Sequence, residues 1–447
     1  MNSLEETIKK MGKKYIITGA QYGARVNHDF LDSLNLYANT NNAEILILPI
    51  KGRTVEDTLL VKELSDYKII DKNHKLNEKI RLSRYQILPQ MIDPITGLAR
   101  FTQSDVSTIF ASPKLRMKVV PNSNNSLPKV LMTSGAITMP NYRDNRIGKI
   151  AEQDHTFGAI IVETDGRSKY HYRQLNSLQN GTFYDLGIKY STDGIEESVR
   201  PEAMVLGDWH FGDTDPKVRR ETLKMISTYQ PKRIFLHDLF NGTSINHWEQ
   251  GKIVTLARKK NMLSLEKELK GLRKELDVII DAAGEDTEIV IVRSNHDEWL
   301  DSYIESGRFI KEPANTLLGA KLLPYMIRQY NPLEVALNNI SELPDNINFL
   351  GIDEDYKVRG FQLGSHGHKG AHGARGSVRS IESAHGKSVT GHSHVPEIFR
   401  DVWKVGTSTK LNLDYTQGLS GWMHSHLLLY DNGKSQLVNI INGKHRG

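Results

Sequence analysis

The sequence predicts an α/β protein in two parts, a smaller α/β domain over residues 1–200 and a larger one over 201–447. Three observations carry this. Near the start, "KYIITGA" (14–20), "DFLDSLNLYANT" (29–40) and "AEILILPI" (43–50) read as strand, amphipathic helix and strand, one β-α-β unit. After about residue 200, "AMVLGD", "DPKVRRETLKMISTY", "RIFLHD" and "EIVIVRSNHD" alternate strand and helix, the mark of a layered α/β domain. From 355 onward the pattern turns to short strands and loops, so the second part resembles two packed sheets with helices outside.

The other elements follow in order. Strands are predicted at 129–133, 158–163 and 183–190, and 120–129 ("VPNSNNSLPK") is a loop by its Pro, Asn and Ser content. The turn "GAQYGAR" lacks the glycine spacing of a dinucleotide fingerprint. A helical insertion falls at about 247–283. Within it Leu265, Leu269, Leu272, Leu276 and Ile279 recur at spacings of 4, 3, 4 and 3, an amphipathic face. That face packs on its own domain or meets a partner; the helix over 252–283 and the region 1–200 are the two surfaces for a homo-oligomer or a protein partner. In 364–376 glycine falls at every third position, a flexible loop whose backbone can approach a ligand closely.

Composition narrows the class. An apolar content of 38% and a charged content of 25% suit a globular protein with a real core. No run approaches the roughly 18 apolar residues of a membrane helix, and "MNSLEETIKKMGKKYIITG" lacks the hydrophobic core of a secretion signal, so the expected compartment is the cytoplasm. Cysteine is absent. Any metal must therefore sit on His, Asp, Glu or Asn. A net charge of +5 is compatible with a polyanionic partner but falls far short of a nucleic-acid-binding tail. Of 17 histidines only His28, His74, His155 and His171 precede residue 200, which puts the chemistry in the second part.

Five polar clusters end apolar runs there: Asp208 with His210, Asp238, Asn295 with His296, His366 with His368, and His392 with His394. Residues two apart on an extended chain point to one side, and the ends of successive strands in an α/β sheet converge on one crevice. Two carboxylates, an amide oxygen and three or four imidazoles suffice for two divalent metals. Such a pair, about 3.5–4 Å apart, clamps the attacking and leaving oxygens of a phosphoryl transfer and acidifies water.

The order D-x-H, D, N-H-D, H, G-H-x-H resembles the calcineurin-like metallophosphoesterase superfamily over about 205–395. The resemblance implies a four-layer α/β/β/α domain. It implies that Asp208, His210 and His394 hold one metal, that Asp238 bridges, and that Asn295, His366 and His392 hold the other. His296 would contact the phosphate and protonate the leaving oxygen. His366 is chosen over His368 because the family's loop histidine is normally the first of an H-G-H. Three positions depart from the pattern: His237 and Ser294 stand where glycine is usual, and Asn241 stands where the phosphatase branch has an acid that orients the catalytic histidine. Asn241 accepts a hydrogen bond from imidazole but does not stabilise imidazolium by charge.

"DLF" (238–240) is similar to the nuclease branch, whose members trim DNA ends in double-strand-break repair, and the style of the chain resembles phage-encoded members. The function expected is a Mn²⁺-dependent DNase, with Fe or Zn as other metals and the host cytoplasm as its place. Arg293 and Arg375 are the candidate substrate contacts, with Lys369, Arg379 and Lys387 nearby in sequence; Trp209 and Trp299 stack on a base or pack. Two alternatives stand beside it: a phosphomonoesterase or nucleotide phosphodiesterase on small substrates, and a non-catalytic binding protein with a relic metal site.

Overall fold

The computed structural model describes residues 12–446 apart from 104, 124–126, 250, 259, 353, 414–415 and 417. The first eleven residues of the segment read for a secretion signal and the middle of the 120–129 loop therefore lie outside the described residues. The fold is mixed α/β.

The β-α-β unit near the start builds a five-stranded sheet in the order Tyr170–Asn176, Gly158–Thr164, Lys13–Gln21, Ala43–Ile50, Lys68–Ile69. Its last three strands are parallel, and helix His28–Asn41 makes the crossover between the first two of these. Asn27 caps that helix by accepting the Phe30 N–H at 3.1 Å, and Phe30, Leu31, Leu34 and Tyr37 turn inward to the sheet.

A six-stranded sheet runs Ile347–Phe349, Glu288–Ile291, Arg233–Leu236, Ala203–Val205, Ser425–Leu429, Ser435–Asn439. Its first four strands are mutually parallel; the pair across Ala203–Val205 and Ser425–Leu429 is antiparallel. Alternation of side chains divides its two faces. Val205, Phe235 and Val290 pack with Met117, Val389, Ile398 and Trp403 of a second, ten-stranded sheet. Met204, Ile234, Leu236 and Ile289 pack outward under helices Pro216–Tyr229 and Leu265–Ala283. On the far side of the ten-stranded sheet, Val378 and Ile381 of helix Val378–His385 cover Phe399 and Val402.

The ten-stranded sheet corrects the division at residue 200. Arg116–Val120 pairs with Glu397–Phe399, Met117 opposite Ile398, so strands from both sides of that boundary share one sheet. Lys129–Thr133 joins this sheet too, beside Arg116–Val120. A short strand such as Arg116–Val120 carries no periodicity that names a partner hundreds of residues away. The predicted strand 183–190 is a hairpin, Phe183–Asp185 and Ile188–Ser191, turning at Leu186 with φ 50°.

The stretch 252–283 divides into Ile253–Arg258, a turn at Lys260–Met262 and the helix Leu265–Ala283. The five periodic apolar residues are buried in the chain's own core. Each is worth about 1.5–3 kcal/mol against exposure, enough to hold the helix in place without a partner. Among the described residues no helix is long and apolar enough to cross a membrane.

Candidate metal centre

Loops at the carboxyl ends of parallel strands bring the polar clusters together, where open α/β sheets place their ligands. Asp208 and His210 follow Ala203–Val205; His237, Asp238 and Asn241 follow Arg233–Leu236; Asn295 and His296 open helix Asn295–Glu305 after Glu288–Ile291. From the other sheet, His366 follows Phe361–Gln362, and His392 and His394 follow Ser388–Thr390. Main-chain bonds lace the loops: Trp209 N–H to His237 O at 3.0 Å, His210 N–H to Asp238 O at 2.7 Å, and Gly391 N–H to His366 O at 3.0 Å.

Four of these residues hold left-handed backbone: His210 at φ 47°, Asp238 at 46°, His392 at 66° and His394 at 56°. Each such residue costs on the order of 1–3 kcal/mol and persists where the surroundings demand it, typically at functional sites. Here the strained turns aim side chains inward.

Among the described residues three donor groups overlap: Asp208, His237 and His366 form one, and the other two share the Asp238 carboxylate. Asp208, His210, Asp238 and His394 form the first of these two: His394 Nε2 lies 3.1 Å from Asp208 Oδ2, His210 Nε2 3.4 Å from Asp238 Oδ2, and the two Nε2 atoms are 3.0 Å apart. Asp238, His366 and His392 form the second, with His366 Nε2 3.1 Å from Asp238 Oδ2. Asn295 Oδ1 completes it, 3.1 Å from His366 Nε2 and 3.1 Å from His392 Nδ1.

Hydrogen bonding fixes which ring atoms are available. Asn241 Oδ1 stands 3.1 Å from His210 Nδ1, so the proton sits on Nδ1 and Nε2 offers a lone pair. Asp208 Oδ1 and Asp238 Oδ1 are buried with no hydrogen-bond donor. A dry cluster of lone pairs and carboxylate oxygens without enough protons to satisfy them is what a buried cation requires. These buried His and Asp groups make a candidate metal site.

The charges of the site without a cation differ from ring to ring. Burial pushes His392 down to about 3 and His210 well below its ordinary range, so both rings stay neutral despite the Asp238 charge beside them. At His366 burial also disfavours charge, but the Asp238 carboxylate and its hydrogen bond outweigh it and lift the ring to about 9. Asp238 itself is penalised by burial, yet His366, His296 and His210 hold it well below the usual carboxylate range.

Other sequence candidates fall differently. His296 Nδ1 lies 2.6 Å from the main-chain carbonyl of Asn241, and the Asn241 side chain instead serves His210, Asp213 and Thr243. Asn241 thus orients His296 through backbone, correcting the side-chain role expected of it. Arg293 is buried and bound to Asp301 and to Asn331 Oδ1 at 3.1 Å, so it is committed to packing rather than free for a phosphate. Arg375 is exposed and close enough for its charge to act on His392. His368 pairs with Glu298 at 3.2 Å beside Lys369; this hydrogen bond, opposed by burial, holds Glu298 down at about 2. Arg379 faces Asp93 at 3.8 Å and Lys387 faces Asp401 at 3.4 Å. Trp209 is fully buried, whereas Trp299 lies against His296, ring centres 4.0 Å apart.

Three groups outside the ligand pattern support the site. His237 Nδ1 lies 3.2 Å from His366 Nδ1, Trp422 packs edge-on to His394 at 4.1 Å, and His426 accepts the Gly207 N–H at 2.8 Å, one residue before Asp208. The replacement of glycine by His237 and the alternation of His424 with His426 on one strand face were legible signals in the sequence; Trp422 carried none.

No family model matches the chain. Along 99% of its length it is similar to "Protein A1" of Escherichia phage T5, at 28% identity over 480 residues covering 84% of that protein.

Proposed function

We propose that this chain is a two-metal phosphodiesterase of the calcineurin-like metallophosphoesterase type, a phage-encoded Mn²⁺-dependent DNase of the host cytoplasm. One observation carries the reading: Asp238 Oδ2 lies 3.4 Å from His210 Nε2 and 3.1 Å from His366 Nε2, so one carboxylate reaches both assigned donor sets, as a bridging ligand must. The succession of helices, sheet, sheet and helix across the hydrophobic cores supports the four-layer arrangement. Similarity to a phage protein supports the origin.

Asp208, His210, Asp238 and His394 would hold one ion, and Asp238, Asn295, His366 and His392 the other. Nitrogen and oxygen donors without thiolate suit Mn²⁺. When bound, the ions would supply positive charge to a phosphate diester and acidify water. His296 Nδ1–H donates to the Asn241 carbonyl, which leaves Nε2 as the reacting atom: from the doubly protonated ring it would pass its proton to the departing oxygen, leaving the ring neutral with its proton on Nδ1. Trp299 against one face of the ring limits its rotation. Arg375 at the open side of the site suits a polyanionic strand.

The test is Mn²⁺-dependent cleavage of linear DNA beside p-nitrophenyl phosphate and its bis ester, with an EDTA control. DNA and the bis ester are expected to be cleaved, and His296→Ala to lose about 10²-fold or more in rate. Turnover of the monoester alone would replace DNase by phosphomonoesterase. No turnover by protein that has bound both ions would leave only the binding role.

A further inference from the structure

A second cavity, of about 480 Å³, lies away from the metal ligands, at the carboxyl ends of strands Lys13–Gln21, Ala43–Ile50, Lys68–Ile69 and Ile80–Ser83. This is where an open parallel sheet receives a ligand. Lys51 and Arg53 follow the second of those strands, Arg84 follows the fourth, and Arg143 closes the wall. Among the described residues none of these four cations enters an ion pair; Arg143 Nε donates to the Arg53 carbonyl at 3.3 Å. The cavity's two carboxylates offset only part of this charge, although the Arg53 charge does act on Asp57. Asp57 Oδ2 is taken by the Thr54 N–H at 2.8 Å and Thr54 Oγ1 at 3.0 Å, and Asp71 adds one negative charge.

Aromatic surface lies beside the cavity, at Tyr85 between the lining residues Arg84 and Gln86. Tyr85, next to Arg84, is 49% exposed and Phe101 63% exposed. Their rings stack at 6.3 Å within 18° of parallel, with Arg100 over Phe101 at 5.1 Å. Free cations in a cleft beside exposed, stacked aromatics are the two elements that hold a nucleotide, one for phosphate and one for the base.

We propose that this cavity binds the phosphate of a nucleotide, with Arg53 and Arg84 as anion contacts and Tyr85 and Phe101 as the base platform. The ligand class is a phosphorylated nucleotide unit, either free or at the end of a DNA strand. The site stands independently of the metal centre.

The experiment uses the full chain in EDTA, so that metal-held DNA does not contribute. Fluorescence anisotropy measures a 5′-phosphorylated single-stranded oligonucleotide and its 5′-hydroxyl twin, and calorimetry measures ATP and AMP. The wild type is expected to bind a phosphorylated probe, and Arg53→Ala/Arg84→Ala to weaken that at least tenfold with an unchanged circular dichroism spectrum. The log–log salt slope should fall by about 1.4 for two lost contacts on a single strand. Tyr85→Ala should weaken nucleotide but not inorganic phosphate binding. Preference for ATP or AMP marks a free nucleotide; preference for the phosphorylated oligonucleotide marks a strand end. Absence of binding in the wild type, or wild-type affinity in the double variant, overturns the proposal. Mn²⁺-dependent turnover of a small ester, unchanged in the double variant, separates its failure from that of the phosphodiesterase reading.

Discussion

Gly391→Ala perturbs the metal centre at a single atom. A Cβ at 391 would stand 2.1 Å from Asp208 Oδ1 and 3.1 Å from His237 Cγ. Comfortable non-bonded contact needs roughly 3.5 Å, so the carboxylate must retreat by about 1 Å or more. Asp208 and His237 are both fully buried, and neither has space to yield. Overpacking of this kind costs about 1–3 kcal/mol. A ligand oxygen must also keep within about 0.2 Å of its bonding distance, so the shift would take Asp208 out of reach of the ion proposed for it. The assay is urea unfolding in EDTA together with calorimetric titration of Mn²⁺. The variant should lose about 1–3 kcal/mol and at least tenfold in affinity for one ion. Gly421→Ala is the control, because its Cβ meets only methyl groups of Val119 and Val395 at 3.4 and 3.5 Å. Wild-type stoichiometry and affinity in Gly391→Ala would refute the reasoning.

Three further outcomes follow from the same geometry. His426→Leu removes the acceptor of the Gly207 N–H and the partner of Thr222 Oγ1 at 2.7 Å, so urea unfolding should register a loss of about 1–3 kcal/mol for the stranded donor. His237→Gly takes away the ring that meets His366 Nδ1, and Mn²⁺ titration should show one ion bound about 10–100-fold more weakly while the other is kept. Burial, against a hydrogen bond to the Thr138 carbonyl, holds His155 at about 4 instead of 6.5. The folded state therefore prefers the neutral ring: its stability is complete above pH 6.5 and is lost as pH falls towards 4, by at most about 3 kcal/mol. His171, also held at about 4 by burial, acts in the same direction, so His155→Gln should flatten only its own share of the pH–stability curve.

What was legible in the sequence is the part encoded locally. Asp208, Asp238, Asn295, His366 and His392 each end an apolar run, and a strand end is where a layered sheet delivers its side chains. The 4-3-4-3 spacing of Leu265 to Ile279 marked the inner face of its helix for the same reason. What escaped depends on contacts between distant segments. Nothing in "RMKVV" announces that it pairs with Glu397–Phe399. Arg293 reads as a free cation until helix Asn295–Glu305 brings Asp301 alongside it. Asn241 was read for its side chain, although its carbonyl is what meets His296.

The most direct test of the shared-carboxylate centre is anomalous diffraction from Mn²⁺-soaked crystals. Two peaks about 3.5–4 Å apart, joined by Asp238 and flanked by His210 and His394 on one side and His366 and His392 on the other, are expected. A single peak, or none within reach of Asp238, would contradict it.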